Sequence, residues 1–111
     1  MIHELRLHNK PFELIKNGSK TIEMRLYDEK RQLIKVGDTI EFTNRLTEEK
    51  LKVEVIALHK FASFSELYTN FNKISIGYGI DEDANPLDME KYYSKEEQTK
   101  YGVVGIEIKK I

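Results

Sequence analysis

Asn17-Gly18-Ser19-Lys20-Thr21-Ile22-Glu23-Met24-Arg25 is the stretch that decides how this chain is read. It joins two kinds of local structure. Gly18 suits the left-handed position just past a helix C-terminus, where a Cβ is penalised. Strand alternation sets in directly afterwards. In an extended segment Thr21, Glu23 and Arg25 share one face, and Ile22, Met24 and Leu26 share the other. The apolar set is expected to face a core, and the ionic set to face water or the lining of a cleft. Lys20 leaves the Gly18 turn before alternation begins, so it is free to swing toward Glu23 and Arg25. An ammonium, a carboxylate and a guanidinium would then meet at one strand mouth. The plain alternative is a solvated strand face, since surface ion pairs are mostly structural or energetically neutral.

On the N-terminal side, Ile2 to His8 alternates, and we read a strand with Leu5 and Leu7 inward. His3 and His8 have no metal-like partner at short spacing, and structural or surface roles are expected for both. Asn9 to Gly18 reads as a short helix, with Pro11 in its first turn and Phe12 and Ile15 packing on the sheet.

On the C-terminal side, Tyr27 to Ile34 is a charged loop with at most one helical turn, and Lys35-Val36-Gly37-Asp38 is a turn. Thr39–Thr43 and Leu51–Lys60 are strands, the second with Leu51, Val53, Val55 and Ala57 on one face. Its end, Ile56-Ala57-Leu58, is apolar on both faces and is expected to lie under a helix. Ser63 with Glu66 forms a capping-box pattern, and Phe64, Leu67, Tyr68 and Phe71 make the stripe of the helix that follows. Gly77-Tyr78-Gly79 has neither the feeding strand nor the Lys-Ser/Thr pair of a phosphate loop. It is a connecting loop or a flap over a cleft. Asp81 to Asn85 lacks the ligand spacing of a calcium loop. Asn85-Pro86 starts a helix whose apolar surface is Leu87, Met89, Tyr92 and Tyr93. Ser94 with Glu97 caps another, which Gly102 ends. Val104, Ile106 and Ile108 are the inward face of a last strand, with Gly105 marking a bulge or a close backbone approach.

With 111 residues, residues 1–111 are expected to form one domain. There is no cysteine, which excludes disulfides and thiolate chemistry. No signal peptide or membrane-length apolar run is read, so a cytoplasmic protein with no membrane contact is expected. No cofactor or metal is expected. The net charge is −1, so any nucleic-acid contact must be local and small, because non-specific affinity comes from neutralising phosphates.

Gly18-Ser19-Lys20-Thr21-Ile22-Glu23-Met24-Arg25 resembles the G-x-K-x-x-E-x-R signature of the ASCH domain family, the PUA-like β-barrels. Ile34 to Phe42 is similar to that family's x-G-D-x-I-x-F strand, and Tyr101 to Ile108 to its last strand. The resemblance implies an α+β fold: a small, mostly antiparallel PUA-like β-barrel with inserted short helices. It also implies RNA binding or processing in a cleft lined by the signature residues. Some small bacterial members are amidohydrolases acting on N4-acetylcytidine through a Thr, a Lys and a Glu, and others are ribonucleases. The signature Lys is Lys20. The amidohydrolases place their nucleophilic Thr three residues later, where this chain has Glu23. Thr21 follows Lys20 directly, and Glu82 is the sole Glu between Phe71 and Asn85.

Three functions follow. The first is a binding module for a nucleotide, a modified nucleoside or a short single-stranded RNA. Lys20, Thr21, Glu23 and Arg25 would contact the ligand, and Tyr78 or Tyr27 would stack on a base. The second is a hydrolase, with Lys20 as general base or electrophile and Glu23 as its acid/base partner. The third is a non-catalytic structural or protein-interaction domain.

Overall fold

The alternation around Glu23 is realised as a strand, and both its faces are covered. The computed structural model describes residues Met1–Ile111. Its strands are β1 (Ile2–Leu7), β2 (Ile22–Leu26), β3 (Thr39–Asn44), β4 (Lys50–Phe61) and β5 (Val103–Lys110). Short helices intervene: α1 (Asn9–Lys16), α2 (Glu29–Gln32), α3 (Phe64–Asn70), a 3₁₀ helix (Pro86–Lys91) and α4 (Lys95–Tyr101). None is long and apolar enough to cross a membrane.

The five strands form one sheet in the order β1-β3-β4-β5-β2. Three of its pairings are antiparallel, and of these only β3·β4 is joined by a short connection. The β1·β3 pair is parallel and departs from the antiparallel pattern. The chain leaves β1 through α1, crosses to the opposite edge for β2, and returns through α2 to lay β3 beside β1. A crossover of this length permits parallel pairing, which a hairpin cannot.

The sheet curls into a half-barrel. Leu5 and Leu7 of β1 share one buried cluster with Val104 and Ile106 of β5, although β3 and β4 lie between them. Phe12 and Ile15 of α1 are in this interior core, as their spacing predicts. A second cluster covers the other side of β2. There Ile22, Met24 and Leu26 meet Phe64 and Leu67 of α3, Ile76 and Met89. This is the α+β, PUA-like architecture that the motifs imply. Gly105 is a close approach: a Cβ there would lie 3.1 Å from Ile22 Cγ2.

The last third of β4 differs from simple alternation. A bulge shifts the β4·β5 register between Val55 and Ala57. The extra residue reverses the parity of everything after it. Val53 and Val55 face the interior, but beyond the bulge it is Leu58 that packs there, and Ile56 is exposed.

The caps at Ser94 and Asn85 follow the sequence, and the Ser63/Glu66 capping box forms by its Ser63 half only. Ser94 and Glu97 form a reciprocal capping box. Ser63 accepts from the Glu66 amide, and Asn85 accepts from the Leu87 amide at 3.0 Å. The helix at Pro86 is 3₁₀ rather than α. With three residues per turn its apolar residues do not share one face: Met89 is buried and Leu87 is exposed. His3 is structural, its Nε2 lying 2.8 Å from Asp38 Oδ2 and tying β1 to the turn before β3.

Candidate functional site

Strand register places the ionic residues of β2. Glu23 pairs with Ile106 and Arg25 with Val104, so both project to the interior side of the half-barrel. That side is not solvated. Glu23 is 2% exposed and Lys20 is 8% exposed. Lys20 Nζ lies 2.8 Å from Glu23 Oε1, and Arg25 Nε donates to Glu23 Oε2 at 2.7 Å. Each carboxylate oxygen therefore has its own cation. Burial alone would raise the Glu23 carboxyl, but the Lys20 ammonium and the Arg25 guanidinium outweigh it and bring the pKa down to about 2. Arg25 also donates through Nη2 to the carbonyl of Arg6 at 3.1 Å.

Lys20 is held from two sides. Its amide donates to the carbonyl of Leu14 in α1 at 3.0 Å. Its side chain lies along Gly77, where an added Cβ would sit 3.2 Å from Lys20 Cδ. Gly77 has φ +110°, a conformation that side chains rarely adopt. The glycine thus serves both the turn and the lysine's channel.

Lys20, Glu23 and Arg25 all line one cleft of about 630 Å³. Its walls come from β1, the start of α1, β2, α3, the loop at Gly77 and Tyr78, and the 3₁₀ helix. The helix that ends at Gly18 supplies one wall of the cleft, through its first turn at His8 and Pro11. Tyr78 lines the cleft, as the flap reading requires. Its hydroxyl is bound to Tyr68, Asp88 and the carbonyl of Asn85.

Three other sequence candidates lie elsewhere. Thr21 is exposed and precedes β2. Its backbone is fixed between the Ser75 carbonyl and the Ile108 amide, and it does not line the cleft. Tyr27 lies past the end of β2, packs against the interior core and sits under the Lys60 ammonium at 4.9 Å. Glu82 is bound to Lys10 and to the Gly79 amide, away from the cleft.

Other residues joined the site that the sequence reading did not assign to it. Arg6, Arg31, Arg45 and Lys91 add four cations from four separate segments. Tyr68, Tyr92 and Tyr93 add aromatic rings. The tyrosines had a usable cue: a hydroxyl in an apolar stripe needs a polar partner. The cations had none, because nothing local connects them. Six Lys and Arg side chains line the cleft together with the carboxylates of Glu23 and Asp88, and of the six Arg6 and Arg31 are also paired with Glu48 and Asp28.

Residues 5–111 match the ASCH domain family. Among solved structures, the chain is similar to hypothetical protein PH0355, with 37% identity over the whole of both chains and a TM-score of 0.85. It is also similar to protein PF0455 from Pyrococcus furiosus, with 38% identity, all of this chain and 98% of that one covered, and a TM-score of 0.79. A mutant form of ZmASCH from Zymomonas mobilis shares the fold at 12% identity, with 97% of this chain and 67% of that one covered and a TM-score of 0.71. No curated protein matches the chain. The half-barrel, the Lys20-Glu23-Arg25 cluster and the match over nearly the full length lead to one assignment: the chain belongs to the ASCH domain family and has its PUA-like fold.

Proposed function

We propose that this protein binds a nucleotide or a short single-stranded RNA in the cleft of Lys20, Glu23 and Arg25. The observation that carries this reading is the concentration of six cationic side chains and four tyrosines around one cleft of a nearly neutral chain. Cations neutralise phosphate locally, and aromatic faces stack on unpaired bases. An ammonium has three N–H donors. Glu23 occupies one of those on Lys20, which leaves donors for a ligand. Arg25 and Glu23 hold Lys20 in place, and Tyr78 offers a ring whose hydroxyl is already bonded.

Binding is a better reading than hydrolysis. An acid/base catalyst works best with a pKa near the working pH. Glu23, held at about 2, is a poor proton acceptor at neutral pH. Thr21 lies outside the cleft, so it offers no nucleophile.

Isothermal titration with nucleoside monophosphates and a short single-stranded oligoribonucleotide tests the proposal. Binding in the micromolar to millimolar range is expected, weakened about tenfold or more in Lys20→Ala and Arg45→Ala, because charged hydrogen bonds contribute about 1.5–3 kcal/mol each. Absence of binding at millimolar ligand by folded wild-type protein would overturn it.

A further inference from the structure

One hydrogen-bonded chain in the cleft wall has a fixed direction. The Tyr68 and Tyr78 hydroxyls are 2.8 Å apart. The Tyr78 hydroxyl is 2.8 Å from Asp88 Oδ2 and 3.2 Å from the Asn85 carbonyl. Each phenol has a single proton to donate. The Asp88 carboxylate and the Asn85 carbonyl only accept, so the Tyr78 proton points to them. The Tyr68 proton must then point to the Tyr78 oxygen, since two oxygens at that distance need a proton between them. Tyr68 is left with a free lone pair and no proton to offer. Burial and the bond to Tyr78 push the Tyr68 pKa well up, so it stays a neutral phenol. Tyr68 lines the cleft, and Lys20, the donor, lies along Gly77 beside Tyr78.

We propose that Tyr68 determines base specificity: its oxygen, locked as an acceptor, selects nucleotides whose base presents an amino group over those presenting a carbonyl at that place. The inference rests on the reading of the cleft as a nucleotide site. An amino N–H satisfies the Tyr68 oxygen, and an adjacent acceptor on the base edge satisfies Lys20. A carbonyl in the amino position sets lone pair against lone pair and leaves a half-buried acceptor unpaired.

The test is titration of wild type, Tyr68→Phe and Asp88→Asn with two matched pairs, CMP with UMP and AMP with IMP. Each pair has the same phosphate and ring shape. Wild type is expected to bind the amino member of at least one pair roughly ten- to a hundredfold tighter. Tyr68→Phe should bring that ratio close to one while thermal unfolding shows a folded chain. Asp88→Asn places an amide donor at Tyr78, which allows the chain of protons to reverse, so the preference should shrink or invert. A purely structural role for Tyr68 or Asp88 would lower stability and leave the ratio unmoved. Equal binding within both pairs by wild type overturns the proposal and leaves nucleotide binding standing. A preference retained in both variants also overturns it. Failure of all four nucleotides to bind removes the nucleotide reading and this inference with it.

Discussion

The Arg25 guanidinium spans the open seam of the half-barrel, donating from Nη2 to the main-chain carbonyl of Arg6 at 3.1 Å. Arg6 lies on one edge strand and Arg25 on the other. No strand ladder joins those edges, so a side chain does. The same guanidinium binds Glu23 through Nε. One residue therefore links the site to the closure of the fold. Arg25→Ala is expected to lower stability by about 3 kcal/mol, because it strips one partner from a buried carboxylate. Arg25→Lys should recover only part of that, since an ammonium lacks the fork that reaches both Glu23 and Arg6. Urea unfolding of the three proteins at neutral pH measures it, and an Arg25→Lys variant as stable as wild type would remove the bridging role.

Glu23 gives the protein a specific sensitivity to acid. Its folded-state pKa of about 2 lies below the ordinary carboxyl value. A depressed pKa means stability that is fully present above the unfolded pKa and lost as pH falls toward the folded one. The window runs from about pH 5 down to about pH 2, and the loss is on the order of 3 kcal/mol. Glu23→Gln cannot titrate, so its unfolding free energy should change less across that window, whatever its stability at pH 7. Parallel slopes for the two proteins between pH 5 and pH 2 would show that other carboxylates dominate acid unfolding.

The parts of this site that were legible from the sequence are those set by local rules. The Ile22–Leu26 alternation, the caps at Ser94 and Asn85, and the Phe12/Ile15 pair all follow from geometry within a few residues. The parallel β1·β3 pair was not legible, because it depends on where the chain goes after β2. Alternation also misplaced one candidate, and a second lay beyond its reach. Thr21 falls before β2 begins, where backbone bonds to Ser75 and Ile108 set its direction. Tyr27 falls after β2 ends and packs in the interior core. The positive lining was invisible because Arg6, Arg31, Arg45 and Lys91 converge only through tertiary folding.

Gly77 offers a test of how Lys20 is held. An alanine there would carry a Cβ at φ +110° and 3.2 Å from Lys20 Cδ. Gly77→Ala is expected to cost about 1–2 kcal/mol from the backbone alone. The Lys20 side chain must also shift, so ligand binding should weaken more than stability predicts. Comparing unfolding free energy with nucleotide affinity separates the two effects. A variant that loses stability but binds normally would mean that the Gly77 contact does not position Lys20.

Salt should act on the cleft and not on the whole molecule. For single strands the affinity falls with salt with a slope of about 0.7 per phosphate neutralised. A short oligoribonucleotide reaching two or three of the cleft cations should give a slope of roughly 1.4 to 2.1. Arg45→Ala should reduce it by about 0.7. Long duplex should bind no tighter than the non-specific range of about 10⁻⁴ to 10⁻⁶ M at physiological salt. Fluorescence anisotropy across a salt series measures all three, and tight duplex binding with a steep slope would show a basic surface outside the cleft.

Hydrolysis of N4-acetylcytidine is the chemistry on which this chain should differ from the family's amidohydrolases. A nucleophilic hydroxyl must lie within hydrogen-bond reach of its base, about 2.6–3.2 Å. At the position three residues after Lys20 stands Glu23, whose two oxygens are both occupied by cations. The nearest hydroxyl in sequence after Lys20, on Thr21, is exposed outside the cleft. A water activated by Glu23 would need a carboxylate with far more basic character than a pKa of about 2 supplies. Wild type, Thr21→Ala, Glu23→Gln and Lys20→Ala should therefore all leave N4-acetylcytidine unhydrolysed, followed by separating substrate from cytidine over time. Thr21→Ala should bind nucleotides as wild type does, while Lys20→Ala should lose affinity. Robust turnover abolished by Thr21→Ala alone would restore a threonine nucleophile and require Thr21 to move into the cleft on binding. Turnover abolished by Glu23→Gln and Lys20→Ala but not by Thr21→Ala would instead make the buried pair catalytic, with ligand binding drawing Lys20 away from Glu23 to free its carboxylate.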